Sequence, residues 1–252
     1  MILALVFTIF IWWVSTGVIL YLNGMPRASH KWTMLGATLV LIAALVALRT
    51  TAQVTEVWAA YCAFTSAVLV WAWQEIGFLL GYVTGSRKTE CPMGVRGWQR
   101  FGFAAEAVVY HELALIVLAI LIWLVTFDGP NQIGLWTYLV LWAMRQSAKL
   151  NVYLGVRNLN EDFLPQHLKY MQSYFVRKPM NAFLPISVLA SSVIAIPLWQ
   201  SVHAAGAGSF EAIGLTLVAT LFSLAILEHL FLVIPLPFEA LWRWGLRSRV
   251  AN

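Results

Sequence analysis

The sequence predicts an all-α, polytopic integral membrane protein with about seven transmembrane helices. Three observations carry this prediction. Hydrophobic residues make up 61% of the 252-residue chain and charged residues only 11%. Soluble domains carry about 25% charged residues, so this chain is too poor in charge to cover a water-facing surface, and its mean hydropathy is +0.77. The apolar residues also fall into runs of the length needed to cross the hydrocarbon core, about 20 residues as a helix. Finally, 13 tryptophans and 14 phenylalanines suit the aromatic belts that form where membrane meets water.

Taken in order, the candidate spans cover roughly 2–22, 33–49, 55–83, 101–127, 132–154, 183–200 and 210–234. The first lacks the basic flank and small-residue cleavage site of a signal peptide, so it reads as a retained span. The second is the weakest, being short and bounded by Lys31 and Arg49. The third and fourth exceed the minimum and are expected to tilt or to extend past the bilayer. Pro185 and Pro197 sit near the two ends of the sixth, where a missing backbone donor disrupts least. Pro235 and Pro237 are expected to end the seventh. The tail FEALWRWGLRSR then reads as an interfacial helix, tryptophans on the membrane and arginines in water. With no internal repeat or low-complexity segment, the economical reading is one polytopic domain over 1–252 with a cytoplasmic loop at 156–181.

Charge sets the expected orientation. Arg27, Lys31, Arg87, Lys88, Arg96, Arg100, Arg157, Lys169, Arg177, Lys178, Arg243, Arg247 and Arg249 fall after odd-numbered spans or in the tail; the other side has Arg49 alone. Basic loops stay cytoplasmic, which gives N-out/C-in and an odd number of spans. The net charge of +5 then belongs to the anionic inner leaflet and not to a nucleic-acid partner. Cys62 and Cys91 form no CxxC pair, which excludes disulfide and zinc frameworks.

The chemistry lies in ionisable groups within the spans: Glu75, His111, Glu112, Glu228 and His229, joined by Glu106, Arg145 and Lys149. A charge at the centre of a bilayer helix costs at least ~2.5–3.5 kcal/mol, and such residues turn to the bundle interior and pair. Counted at about 1.5 Å per residue, Glu75, His111, Glu112 and Glu228 share one depth in the cytoplasmic half, and Arg145 and Lys149, at i and i+4, lie on one face nearby. Convergence is therefore expected. Three chemistries fit it. The first is an ion-paired core in which Arg145 and Lys149 neutralise two carboxylates and leave one needing a proton or a cation. The second is a metal centre of iron or another transition metal, with Glu75, His111, Glu112, Glu228 and His229 as ligands, as in di-metal carboxylate bundles. Against it, each histidine here adjoins its glutamate, in YHE and LEH, and adjacent helical residues point about 100° apart. The third is a haem or porphyrin ligand role for His111 or His229, which leaves the glutamates unexplained.

The connection 149–181 is the longest. Asn160 is placed to cap a short helix carrying Glu161 and Asp162 in its first turn. Pro165 is expected to start a second helical segment with an amphipathic face of Leu168, Tyr170, Met171, Tyr174 and Phe175. Two readings stand side by side, an interfacial helix closing the bundle floor and a docking surface for a membrane partner. His30, His167 and His203 read as solvated loop histidines. No nucleophile elbow, Walker motif or dinucleotide fingerprint is present, so no catalytic residue is assigned.

Taken together, the segments WWVSTG, WQEIGFLLGYVTG, CPMGVRGWQRF, AVVYHEL, GLWTYLVLWAMRQSAKLNVYLGV, NLNEDFLPQHLKYMQSYF and LEHLFLVIPLP are those of a known group. The chain resembles, nearly end to end, the PuhE family of photosynthetic-complex assembly proteins of purple phototrophic bacteria. Family motifs match Glu75, His111, Glu112, Arg145, Lys149, Asn151, Glu228 and His229, which adds Asn151 to Arg145 and Lys149 as a polar-core partner. Glu106 falls outside them. The resemblance implies a multi-pass protein of the bacterial inner (intracytoplasmic) membrane that helps build the reaction-centre and core-antenna complex, with bacteriochlorophyll supply as one route. Expected partners are reaction-centre or antenna subunits, pigment-biosynthesis proteins and the lipid membrane. The alternative from the Glu/His layer is a metalloenzyme acting on a tetrapyrrole, quinone or carotenoid. A transporter fits less well, since the chain lacks the inverted repeat of many such proteins.

Overall fold

Hydrocarbon offers no hydrogen-bond partner, so a spanning chain must satisfy its own backbone, and helices are the local solution. The computed structural model describes residues 1–250, apart from the side chains of Phe238, Glu239, Arg249 and Val250. The long helices are α1 (Ile2–Asn23), α2 (His30–Thr51), α3 (Val57–Leu79), α5 (Val109–Thr126), α6 (Ile133–Leu154), α7 (Phe183–Ala204) and α8 (Phe210–Phe231). Two shorter ones, α4 (Gly97–Glu106) and α9 (Arg243–Val250), precede α5 and end the described chain. Among the described residues the only extended pairing is an isolated bridge between Val156 and Arg177. The fold is all-α.

Six of these helices, α1, α2, α3, α5, α7 and α8, are long and apolar enough to cross a membrane. The seventh long helix, α6, matches them in length at 22 residues, about 33 Å. Its composition sets it apart, because Arg145, Gln146, Ser147, Lys149 and Asn151 crowd its second half. That polarity is tolerated because α6 packs against α3, α5, α7 and α8. The weak span is therefore α6. The second span, expected to be the weakest, is a full 22-residue helix.

Helix α3 is the axis of the bundle, packed against α1, α2, α5, α6 and α8. Its alanine-rich face lets neighbours approach closely, as small residues do between membrane helices. Phe64, Leu115, Ile122, Tyr138 and Leu217 form the apolar core around it. One end of the bundle is tied by Arg49 donating to Asp128 at 2.7 Å and by Asn131 donating to the carbonyls of Thr51 and Ala59. The other end gathers the segments around 24–30, 80–108, 155–182 and 232–250. There Arg87 donates to Tyr174, Arg100 to the Tyr174 carbonyl and Asn158 to the carbonyls of Phe231 and Ile234.

Several boundaries differ from expectation, each for a physical reason. The fourth span, read as one helix over 101–127, breaks at residues 107–108 into α4 and α5. Gly85 runs against the backbone of Glu106 and Ala107, where a side chain would have no room. The Arg87 N–H donates to the Glu106 carbonyl at 3.3 Å and the His111 N–H to the Thr84 carbonyl at 2.9 Å. The inserted strand of loop thus supplies backbone partners that the break would otherwise leave open in hydrocarbon. The sixth span runs on to Ala204, which places Pro197 inside α7 and not near its end.

The 166–174 segment is helical, as expected, but wound as a 3₁₀ helix. At about three residues per turn, Leu168, Met171 and Tyr174 stack on one ridge, and all three are buried. Leu168 and Met171 pack on Phe78 and Leu79, so this ridge floors the bundle. Asn160 enters the preceding 3₁₀ turn through a left-handed backbone (φ 53°) with no side-chain cap.

The tail differs most. Its tryptophans face protein and not lipid: Trp242 donates to the Trp13 carbonyl at 3.0 Å, and Trp244 stacks edge-on to Trp13 with ring centroids 5.6 Å apart. Gly245 meets the Gly17 carbonyl, and Ser248 donates to the Tyr21 carbonyl at 2.8 Å. Positions 242, 245 and 248 therefore pair with 13, 17 and 21, and α9 runs alongside α1 in the same direction. The two glycines make this crossing close. Gly245→Leu should unseat α9 at a cost of about 1–3 kcal/mol, read as a lower melting temperature of the purified protein. An unchanged melting temperature would show that the α1–α9 contact contributes nothing.

Candidate functional site

The charged groups come together on the half of the bundle that carries the basic loops. Helix α6 supplies the cations. Arg145 donates to Glu75 of α3 at 3.1 Å, and Lys149 donates to Glu112 of α5 at 2.6 Å. Gln146, one residue along, donates to the second Glu112 oxygen at 2.5 Å. Glu228 of α8 accepts from the indole N–H of Trp12 on α1 at 2.7 Å. It also feels the charges of Arg145 and Glu75, and Lys149 feels Arg145 and Glu75. Tyr138 lies just above in α6, fully buried, its hydroxyl donating to the Leu115 carbonyl at 3.0 Å.

The histidines behave differently from each other. Both ring nitrogens of His229 are engaged, Nδ1 with the Ala225 carbonyl at 2.9 Å and Nε2 with the Ser147 hydroxyl at 2.8 Å. A carbonyl can only accept, so Nδ1 carries the proton and Nε2 accepts from Ser147. His111 is fully buried, with its ring 4.5 Å from that of Phe78. Among the described residues neither of its ring nitrogens has a hydrogen-bond partner. Asn151, also fully buried, lies apart from the glutamates. It donates to Ser187 at 3.3 Å and accepts from Asn181 at 3.1 Å, joining α6 to the start of α7. Asn181 in turn accepts from the N–H groups of Phe183 and Leu184.

The arrangement can be judged against a metal centre by its donors. Glu75 and Glu112 each face a cation, Glu228 faces an indole N–H, and His229 is spent on Ser147 and the backbone. Among the described residues no group of three or more His, Cys, Asp or Glu side chains is placed to hold a metal ion. Glu75, His111, Glu112, Glu228 and His229 thus share a layer but are not arranged as one ligand set. The residues that complete the layer without having been singled out are Trp12, Gln146 and Ser147. Gln146 and Ser147 were legible as the polar run RQSAK within an apolar helix; Trp12, beside Trp13, gave no signal to separate it from an interfacial aromatic.

A bundle of apolar helices around a paired charge layer defines a polytopic helical membrane protein. The chain belongs to a family described as "Protein of unknown function (DUF3623)", whose model matches residues 1–252. It is also 38% identical, over 247 residues, to an uncharacterized 30.4 kDa protein in the puhA 5' region of Rhodobacter capsulatus, covering 96% of this chain and 89% of that one. No solved structure matches the chain.

The Glu112–Lys149 pair is the part of the layer best suited to measurement, since both side chains are less than a third exposed (29% and 26%). Glu112→Ala strands Lys149 and should destabilise the protein by about 3 kcal/mol, the low end for breaking a buried pair. The double variant Glu112→Ala, Lys149→Ala should cost clearly less than the two single changes added together. Strict additivity in unfolding titrations would mean that the pair does not couple.

Proposed function

We propose that this protein is an assembly factor for the photosynthetic reaction-centre and core-antenna complex, held N-out/C-in in the bacterial inner (intracytoplasmic) membrane. The observation that carries the reading is the end-to-end relative named for the puhA 5' region, a photosynthetic reaction-centre gene region. The charged layer is consistent with it. Its carboxylates are met by cations and N–H donors from neighbouring helices, the arrangement of a core that holds a bundle in one shape. A surface that must present itself to partner subunits needs such a fixed scaffold, and the floor at 166–174 is the broadest ordered segment at the basic end. Orientation follows from the grouping of the basic residues at that end, by the preference of lysine and arginine for the cytoplasmic side.

One observation favours a second reading, binding of a metal-centred pigment or a metal in the core. His111 is buried with both ring nitrogens unpartnered, and a neutral imidazole nitrogen is a good metal ligand. Metal and pigment analysis of the detergent-purified protein separates the two readings. Material retained by the wild type and lost in His111→Ala supports the second. Its absence from both leaves the assembly reading in place.

Two tests address the proposal itself. A deletion strain grown phototrophically should contain less assembled reaction-centre–antenna complex, with the absorption spectrum of the remaining complex unchanged; normal amounts of complex would refute the assembly role. Reporter fusions should place residue 160 and the C-terminus in the cytoplasm. A periplasmic C-terminal reporter would overturn the orientation.

A further inference from the structure

At the basic end of the bundle, a cleft of about 660 Å³ opens between the α1–α2 turn and the 161–172 segment. That volume lies within the ~300–1,000 Å³ of small-molecule sites. One wall carries Arg27 beside Met25 and Pro26; the facing wall carries Lys169 beside Leu164 and Pro165. The acidic residues of the lining are already engaged. Glu161 accepts from Arg177 at 3.2 Å, and Asp162 has its own interaction within the protein. The ring of His30 is held by the Met25 carbonyl at 3.0 Å. Neither Arg27 nor Lys169 takes part in an ion pair among the described residues, and both are exposed. The uncompensated charge of the cleft is therefore positive and is delivered from two opposite walls.

Its depth is marked by the next turn of chain. Lys31 lies over the ring of Trp32, 5.3 Å from the centroid, and Trp32 is 65% exposed in the first turn of α2. An exposed tryptophan under a lysine is the side-chain pattern of the membrane–water interface. The cleft thus opens at the level where head groups lie. We propose that it binds an organic anion, whose phosphate or carboxylate sits between Arg27 and Lys169 and whose apolar part lies along Met25, Pro26 and Leu164. The site is independent of the assembly role and of the charged layer.

The test uses the full-length protein in detergent with phosphatidylglycerol and phosphatidylcholine as probes, read by native mass spectrometry. The wild type should retain phosphatidylglycerol over phosphatidylcholine. Arg27→Gln with Lys169→Gln should weaken retention about 30-fold, the effect expected of two cations acting on an anionic lipid. Lys88→Gln with Arg96→Gln removes the same charge from the same end of the bundle and should change retention little. Raised salt should weaken binding to the wild type, which tests the site even if the double variant does not fold. Displacement by sn-glycerol 3-phosphate would assign the site to soluble anions; failure to displace, with phosphatidylglycerol still retained, would assign it to the lipid. Equal losses in the two double variants, retention that ignores salt, or equal retention of both lipids would overturn the proposal.

Discussion

Hydrocarbon contains no water, so every ionised side chain within it needs a partner from the protein. In this chain the requirement falls on a layer of three glutamates, Glu75, Glu112 and Glu228, and two cations, Arg145 and Lys149. Helix α6 is the hub, because it carries both cations and also Gln146 and Ser147. Glu75 ties it to α3, Glu112 to α5 and His229 to α8. Each contact fixes the rotation of the partner helix about its own axis, since turning a helix by one residue swings its side chains by about 100°. Packing of apolar side chains against lipid-like neighbours cannot do this, because lipid tails are as apolar as leucine. The polarity that makes α6 the least apolar of the seven long helices is what sets the register of the others. One negative charge is left over in the layer, three minus two, and it falls beside Glu228, whose hydrogen-bond donor, Trp12, is neutral.

The same solvent rule governs the backbone. At the end carrying the basic loops, α4 and α5 are separated by a break, and α8 stops at Phe231, level with the Trp12–Glu228 contact. Each interruption exposes N–H and carbonyl groups. Thr84 and Arg87 serve the break before α5, and Asn158 reaches back to the carbonyls beyond the end of α8. Helix α9 then fills the space beside α1 that α8 vacates. The opposite end needs less of this, since the turns at 51–57 and 126–132 are short and Asn131 spans them with two hydrogen bonds.

Much of this was legible in the sequence, and the failures share a cause. Charges within apolar runs stand out, so the members and depth of the layer could be read from spacing alone. Their partners could not, because pairing depends on helix rotation and on side-chain reach; Arg145 meets Glu75 and Lys149 meets Glu112 through choices that composition does not encode. The break at 107–108 was invisible because FAAEAVVY has no proline or glycine at the break itself, and the wedge responsible, Gly85, lies more than 20 residues earlier. The tail was misplaced because alternating tryptophan and arginine reads the same against a lipid interface as against a helix. Gly17 in α1 and Gly245 in the tail were the available signal, and it becomes meaningful only once the two are known to touch.

The division of the bundle into an apolar half and a polar half has a consequence for where it can change shape. The apolar half is continuous, with Phe64, Leu115, Ile122 and Leu217 packed around α3. The other half is assembled from short pieces: the 3₁₀ ridge at 166–174, α4, α9 and the loop through Gly85. Segments of this kind, held by few buried contacts and by hydrogen bonds near the surface, open at lower cost than long core helices. The charged layer lies at the boundary between the two regimes. A partner that displaced the floor would therefore meet Lys149 and Glu112, both already partly exposed, before it disturbed any apolar contact of the core. Rearrangement on that side would exchange one set of polar partners for another, whereas a comparable movement on the opposite side would require cavities in a close-packed interior.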